Sequence, residues 1–177
     1  MNRHDYASLA SAPRAELEAV LRAGHPPDLD GLAGSEFRGW NTPFFASWIG
    51  ILRFKKGFFR DPKVGGRVRG YNKAIRSGGG LNDPWVEKGP GDVASPFGFY
   101  EVEIPDDDRY PNSVLLNYNC PRNFLADPTR LLRDYLVQVD ADNPDLLLGK
   151  AYLATPLIWP RVSYFLLERV GDSVVPD

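Results

Sequence analysis

The stretch LLLGKAYL puts one lysine among apolar and aromatic side chains. On a strand, a period of two places Leu146, Leu148, Lys150 and Tyr152 on one face and Leu147, Gly149, Ala151 and Leu153 on the other. If the first face points into a core, the Lys150 ammonium needs a partner, because an unpaired buried charge is costly. A ligand carboxylate would serve. If the second face points inward, Lys150 is solvated. A similar choice arises in SEFRGWN, where Arg38 and Trp40 share a face and Phe37 takes the opposite one. Arg38 is either a clamp for an acid group, with the indole as an apolar wall, or a structural arginine stacked on that tryptophan to close the barrel end. Tyr71 and Asn72 in RGYNKAI, and Asn117, Tyr118 and Asn119 in LLNYNC, are polar and aromatic patches near strand ends. They suit orienting a ligand or anchoring a loop.

Other chemistries find little support. Cys120 is the only cysteine, and His4 and His25 lie in a polar terminus and beside two prolines. No metal site or disulfide framework follows from such a set, and no cofactor motif is present. Cys120 has Arg122 nearby but no histidine partner, so it reads as a passive thiol. There is no GxSxG, and the triple glycine in RSGGG reads as a turn. Asp134 and Asp140 share a strand face but stand too far apart to share a proton, and Asp106, Asp107 and Asp108 read as a solvated turn. The 21 basic and 23 acidic residues leave a net charge of -2, which disfavours nucleic acid as a partner. The basic cluster Arg53, Lys55, Lys56, Arg60, Lys63, Arg67 and Arg69 reads as a solvated face and a helix terminus. No apolar run is long enough to span a bilayer and the N-terminus lacks a signal-peptide core, so a cytoplasmic protein is expected.

These residues need elements to hold them. SAPRAELEAVLRAG reads as a helix, with Ser11 as a cap, Pro13 in the first turn, Gly24 at the end, and a narrow stripe of Leu17, Val20 and Leu21. HPPDLDGLAG reads as a loop. Gly34 to Asn41 reads as a strand, and Thr42-Pro43 starts a second helix over Phe44 to Leu52. That helix is apolar almost all round and hence buried, with Arg53, Lys55 and Lys56 at its C-terminal end. From there KKGFFRD, GRVRGYNKAIRS, DPWVEK, FGFYEVEIP, SVLLNYN, LLRDYLVQVD, LLLGKAYLAT and RVSYFLLERV read as short strands between turn signals. Gly98, Tyr100, Val102 and Ile104 share one face; so do Arg133, Tyr135, Val137 and Val139. The chain reads as one mainly β domain over 1–177, with 1–30 as a helical N-terminal extension. Such strands suit an antiparallel sandwich or barrel; the size of the chain and its amphipathic segments favour a barrel of about eight to nine strands, its interior large enough for one small ligand.

Three stretches resemble a known family. LAGSEFRGWNTP resembles the N-terminal strand of GXWXG-type lipocalin-like proteins, FKKGFF their Gly-Lys-Phe strand, and LLRDYLVQVDADNPDLLLGKAYL their C-terminal hairpin. Phe37 stands where that family has tryptophan, and Lys56 precedes Gly57 rather than following it. The resemblance implies a small calycin-type barrel that binds a ligand, and it implies no activity. On this basis the expected function is to hold a small apolar, lipid-like molecule, bearing an acid group, inside the barrel. Arg38, Trp40, Tyr71, Tyr100, Tyr118, Tyr135, Lys150 and Tyr152 are the candidate ligand-binding residues. Phe37 and Phe99 are further wall candidates. The alternative is a cofactor-free cyclase or isomerase in the same cavity, using tyrosine, aspartate or lysine as acid or base. A third reading is an interaction protein that docks through its N-terminal helices.

Overall fold

Alternation of apolar and polar residues at a period of two dominates the chain from Ser35 onward, and the backbone follows it. The structure, a computed structural model, describes residues 4–42 and 51–176. Among these, eight strands form one closed barrel: β1 (Ser35–Asn41), β2 (Arg53–Asp61), β3 (Arg67–Ala74), β4 (Phe97–Glu103), β5 (Val114–Asn117), β6 (Leu132–Asp140), β7 (Asn143–Leu153) and β8 (Arg161–Asp172). Each strand pairs antiparallel with the next, and β8 closes on β1. Closure leaves no sheet edge open to other chains.

Three short helices precede the barrel: α1 (Tyr6–Ala10), α2 (Arg14–Ala23) and α3 (Leu29–Leu32). The expected helix after Pro13 is α2, but Ser11 does not cap it. Ser11 ends α1, whose N-cap is Asp5 in a capping box with Ser8, and Pro13 occupies the N-cap of α2. The stretch HPPDLDGLAG is also less loop-like than expected, because the Asp28 side chain accepts from the backbone N–H groups of Asp30 and Gly31 and starts α3.

Two departures fall on the strands. DPWVEK adds no ninth strand; it makes only an isolated bridge between Glu87 and Ile75. Its Pro84 has no N–H for a ladder, and Trp85 is held by the arginines Arg38 and Arg53 instead. The second concerns Arg53, Lys55 and Lys56, which begin β2 rather than end a helix. The expected helix over Phe44 to Leu52 falls mostly on residues 43–50, which lie outside the described residues.

The chain builds two apolar cores, one on each face of the β6–β7–β8 sector. Inside the barrel, Phe37, Phe58, Tyr100, Leu116, Leu136, Leu147 and Leu167 pack together, and Leu32 of α3 joins them. Phe58 meets Phe37 and Tyr100 edge-on, with ring centroids 5.7 and 5.6 Å apart. Tyr100 crosses the strand over Gly70, where a Cβ would collide with its ring. Outside the barrel, Leu17, Val20 and Leu21 of α2 and Leu9 of α1 cover Tyr135, Val137, Leu148, Tyr164 and Leu166. The narrow stripe of α2 is therefore used within the molecule, which removes it as a docking face for a partner.

One polar clamp fixes α2 to the barrel wall. Glu18 accepts from Lys150 Nζ at 2.7 Å, from Tyr164 OH at 2.6 Å and from Tyr110 OH at 3.0 Å. Burial alone would raise the Glu18 carboxyl, but these hydrogen bonds outweigh it and hold it down to about 2, against an ordinary 4.5. A carboxyl whose folded value is depressed stabilises the fold above its unfolded value, and that contribution fades as pH falls toward the folded one. Stability measured by urea unfolding should therefore drop between about pH 4.5 and pH 2. Glu18→Gln should be less stable than the native chain at neutral pH and show a flatter fall over that interval. An unchanged acid limb would show that the clamp contributes nothing.

Candidate functional site

On β2, the residues facing the interior are Phe54, Lys56 and Phe58, and on β6 they are Leu132, Asp134 and Leu136. The alternation that buries the aromatics of β2 thus also carries a lysine inside. Lys56 is 2 % exposed and Asp134 3 %. The Lys56 ammonium donates to Asn72 Oδ1 of β3 at 3.0 Å, to Asp134 Oδ2 at 3.3 Å and to the Tyr118 hydroxyl. Tyr118, just beyond β5, donates its own proton to Asp134 Oδ2 at 3.0 Å. Asn72 is oriented by donating to Gly98 O at 2.9 Å. Four strands or strand ends therefore converge on one nitrogen.

The surroundings of this cluster are aromatic. Lys56 Nζ lies 4.7 Å from the Tyr100 ring centroid, 5.3 Å from that of Phe165 and 5.5 Å from that of Phe54. Ring faces partly replace the water lost on burial. The replacement is incomplete: desolvation pushes the Lys56 ammonium below its ordinary range, although Asp134 pulls the other way. Burial likewise drives the Tyr118 phenol well above its usual value, and the neighbouring Asp134 adds to this. Asp134 Oδ1 is buried without a hydrogen-bond partner among the described residues. An ion pair held this dry does little for stability, since the cost of desolvating both ions offsets their attraction.

The cluster forms part of the wall of a cavity of about 140 Å³. Its lining includes Phe54, Ala151, Val162 and Phe165, and it reaches Ile51 and Phe97, both exposed, at the end of the barrel where β1 finishes and β2 begins. The surface presented to a guest is almost wholly apolar. A dry cavity of roughly 150 Å³ accepts a benzene-sized molecule, so this one suits about six carbons. The opposite half of the barrel is filled by side chains.

The candidate residues divide unevenly between the two sides of the wall. Tyr118 lines the cavity, and Tyr100 lies inside the barrel with its hydroxyl donating to Gly57 O at 3.2 Å. The other six lie on the outer side. Arg38 Nε donates to Glu168 at 2.7 Å, and the guanidinium stacks on Tyr6 and Trp85 at 4.8 and 5.0 Å. Trp40 packs on Trp85, with centroids 6.4 Å apart. Tyr71 lies over Gly57 and donates to Glu36 at 3.3 Å. Tyr135 donates to Asp107 at 2.5 Å, Tyr152 shares a hydrogen bond with Tyr110 at 3.2 Å, and Lys150 is held by Glu18. Lys150 does point away from the interior, yet it is 7 % exposed rather than solvated, because α2 roofs that face.

The two residues at the centre of the site were read otherwise from sequence. Lys56 falls in the basic cluster expected to be solvated, and the strand alternation overturns that for it. Lys55 and Arg69 are also paired: Lys55 with Glu36 and Glu87, both at 2.9 Å, and Arg69 with Asp61 at 2.9 Å and with Glu101. Arg60, Lys63 and Arg67 are exposed as expected. A signal was present at Lys56, since Phe54 and Phe58 flank it at i−2 and i+2. Leu132 and Leu136 flank Asp134 in the same way.

Fold and site together define a closed eight-stranded antiparallel barrel with a charged cluster in the wall of a small apolar cavity. Compared with family models, curated proteins and solved structures, the chain finds no match. Among the described residues, no helix is long and apolar enough to cross a membrane, and no three metal-ligating side chains come together.

Removing one partner of a buried pair strands the other. Asp134→Ala should destabilise the fold by about 3–5 kcal/mol, and the double change Lys56→Met with Asp134→Leu should recover most of that loss. Denaturant unfolding of the single and double variants checks this. A double variant no more stable than Asp134→Ala would contradict it.

Proposed function

We propose that the protein binds a small, mainly apolar molecule in the open end of its barrel, with the guest's polar group directed at Lys56. The observation that carries this reading is the apolar cavity with Lys56, Tyr118 and Asp134 in its wall. A neutral polar group fits better than the acid group expected from sequence. The charge of Lys56 is already met by Asp134 at 3.3 Å, and a carboxylate there would face that anion. The barrel, its size and the order of its strands also suit a lipocalin-like protein of the GXWXG type. The three similar stretches fall on β1, on β2, and on the β6–β7 hairpin. The catalytic alternative draws on the same place, because Lys56, Tyr118 and Asp134 touch one another as an acid–base set would.

Hexan-1-ol is a suitable probe for the cavity. Ligand-observed NMR should show it binding to the native chain, and hexanoate binding more weakly. Ala151→Phe places a ring in the cavity and should weaken hexan-1-ol by about tenfold or more, a loss of at least ~1.4 kcal/mol. Thermal unfolding confirms that the variant is folded. Equal affinity for the native chain and the filled variant would place the alcohol elsewhere and defeat the reading.

A further inference from the structure

We propose that Lys56 is an imine-forming amine, and that the cavity captures an aldehyde or ketone with a short apolar tail. The proposal rests on the ligand-binding reading above and names the chemical class of the guest.

Three features of the geometry support it. First, Lys56 Nζ is in the cavity wall, where the carbonyl carbon of an apolar guest would arrive tail outward, toward Ile51 and Phe97. Second, a carboxylate and a phenol both touch that nitrogen, and imine formation requires groups that take and return protons. Third, the aromatic surround of Tyr100, Phe165 and Phe54 excludes water, so the reverse hydrolysis is slowed. Burial also favours the neutral amine, which is the nucleophile.

The steps balance without any further reactant. The ammonium of Lys56 passes a proton to Asp134, whose Oδ2 lies 3.3 Å away. The free amine adds to the carbonyl carbon, forming a C–N bond while the carbonyl π electrons move to oxygen. That oxygen takes its proton from the carboxylic acid of Asp134, with Tyr118 bridging amine and carboxylate. After a proton moves from nitrogen to the hydroxyl, the C–O bond breaks and water leaves. The product is a protonated imine paired with the Asp134 carboxylate, which takes the place of the original ion pair. Lys150 and Lys73, also buried, offer no such site: Glu18 and the Tyr110 hydroxyl hold the Lys150 ammonium beneath α2, Glu36 at 3.0 Å and Glu87 at 3.3 Å hold that of Lys73, and these contacts push both above their ordinary values despite burial.

The test is reductive trapping of the full chain with hexanal and cyanoborohydride, read by intact mass and peptide mapping. One hexyl group should appear on Lys56 at least about tenfold faster than on the exposed Lys63 and Lys88, as expected for a lysine with a raised free-amine fraction. Excess hexan-1-ol should suppress labelling of Lys56 but not of Lys63 or Lys88. Asp134→Asn, if folded by circular dichroism, should slow labelling of Lys56 and leave that of Lys63 and Lys88 unchanged. If hexan-1-ol binds and Lys56 is labelled no faster than Lys63, the imine proposal is overturned and the binding reading stands. If neither labelling nor binding occurs, both fail.

Discussion

The ion pair between Lys56 and Asp134 constrains the rest of this barrel. A lysine carried into an aromatic interior by strand alternation must be neutralised and hydrogen-bonded, or it prevents folding. Here the partners come from different strands: Asp134 from β6, Asn72 from β3, and Tyr118 from the turn after β5. The pair therefore ties β2 to the far wall of the barrel, across its lumen. It also sets the depth to which the interior can be filled. On one side of it the phenylalanines and leucines close the barrel, and on the other side the cavity opens. Apolar residues of similar volume would fill such a place at little or no loss of stability, so the pair is not what holds the barrel together.

A second arrangement carries burial to the outer face of the barrel. Sheets of this size are commonly buried on one face and wet on the other. In this protein β6, β7 and β8 are buried on both, because α1 and α2 lie over their outer side. The outer core contains the larger share of tyrosines and its own lysine–glutamate pair, Lys150 and Glu18. Stability can then reside in the outer layer and in the closed half of the lumen. The other half is left with a small cavity and the desolvated pair of Lys56 and Asp134.

That double burial explains what could be read from the sequence. Strand positions in β1, β6 and β7 follow from alternation and turn signals, whereas the start of β2 was masked by the helix expected before it. Strand count and regular turns pointed to a sandwich or a barrel, and the size of the chain with its amphipathic segments favoured the barrel. The site did not follow, because alternation separates two faces without saying which one is inside. Tyr135, Val137, Tyr152 and Lys150 are buried from outside: α2 covers Val137 and Lys150, and the segment carrying Asp107 and Tyr110 covers Tyr135 and Tyr152. Arg38 has a different problem: stacking on Trp40 was expected, but the rings it meets are Tyr6 and Trp85, brought from distant sequence. Lys56 was obscured by its neighbours, since Arg53, Lys55 and Arg60 make it look like one member of a charged run. Only the flanking Phe54 and Phe58 distinguish it.

The central claim is that the open end of the barrel holds a small guest against Lys56. Its most direct test is a crystal structure of the protein grown with hexan-1-ol. The account predicts the alcohol among Phe54, Val162 and Phe165, its hydroxyl beside Lys56 and donating to the otherwise unpartnered Asp134 Oδ1, with the Lys56–Asp134 contact retained. A lumen closed by the protein's own side chains, or Lys56 turned out to solvent, would contradict it.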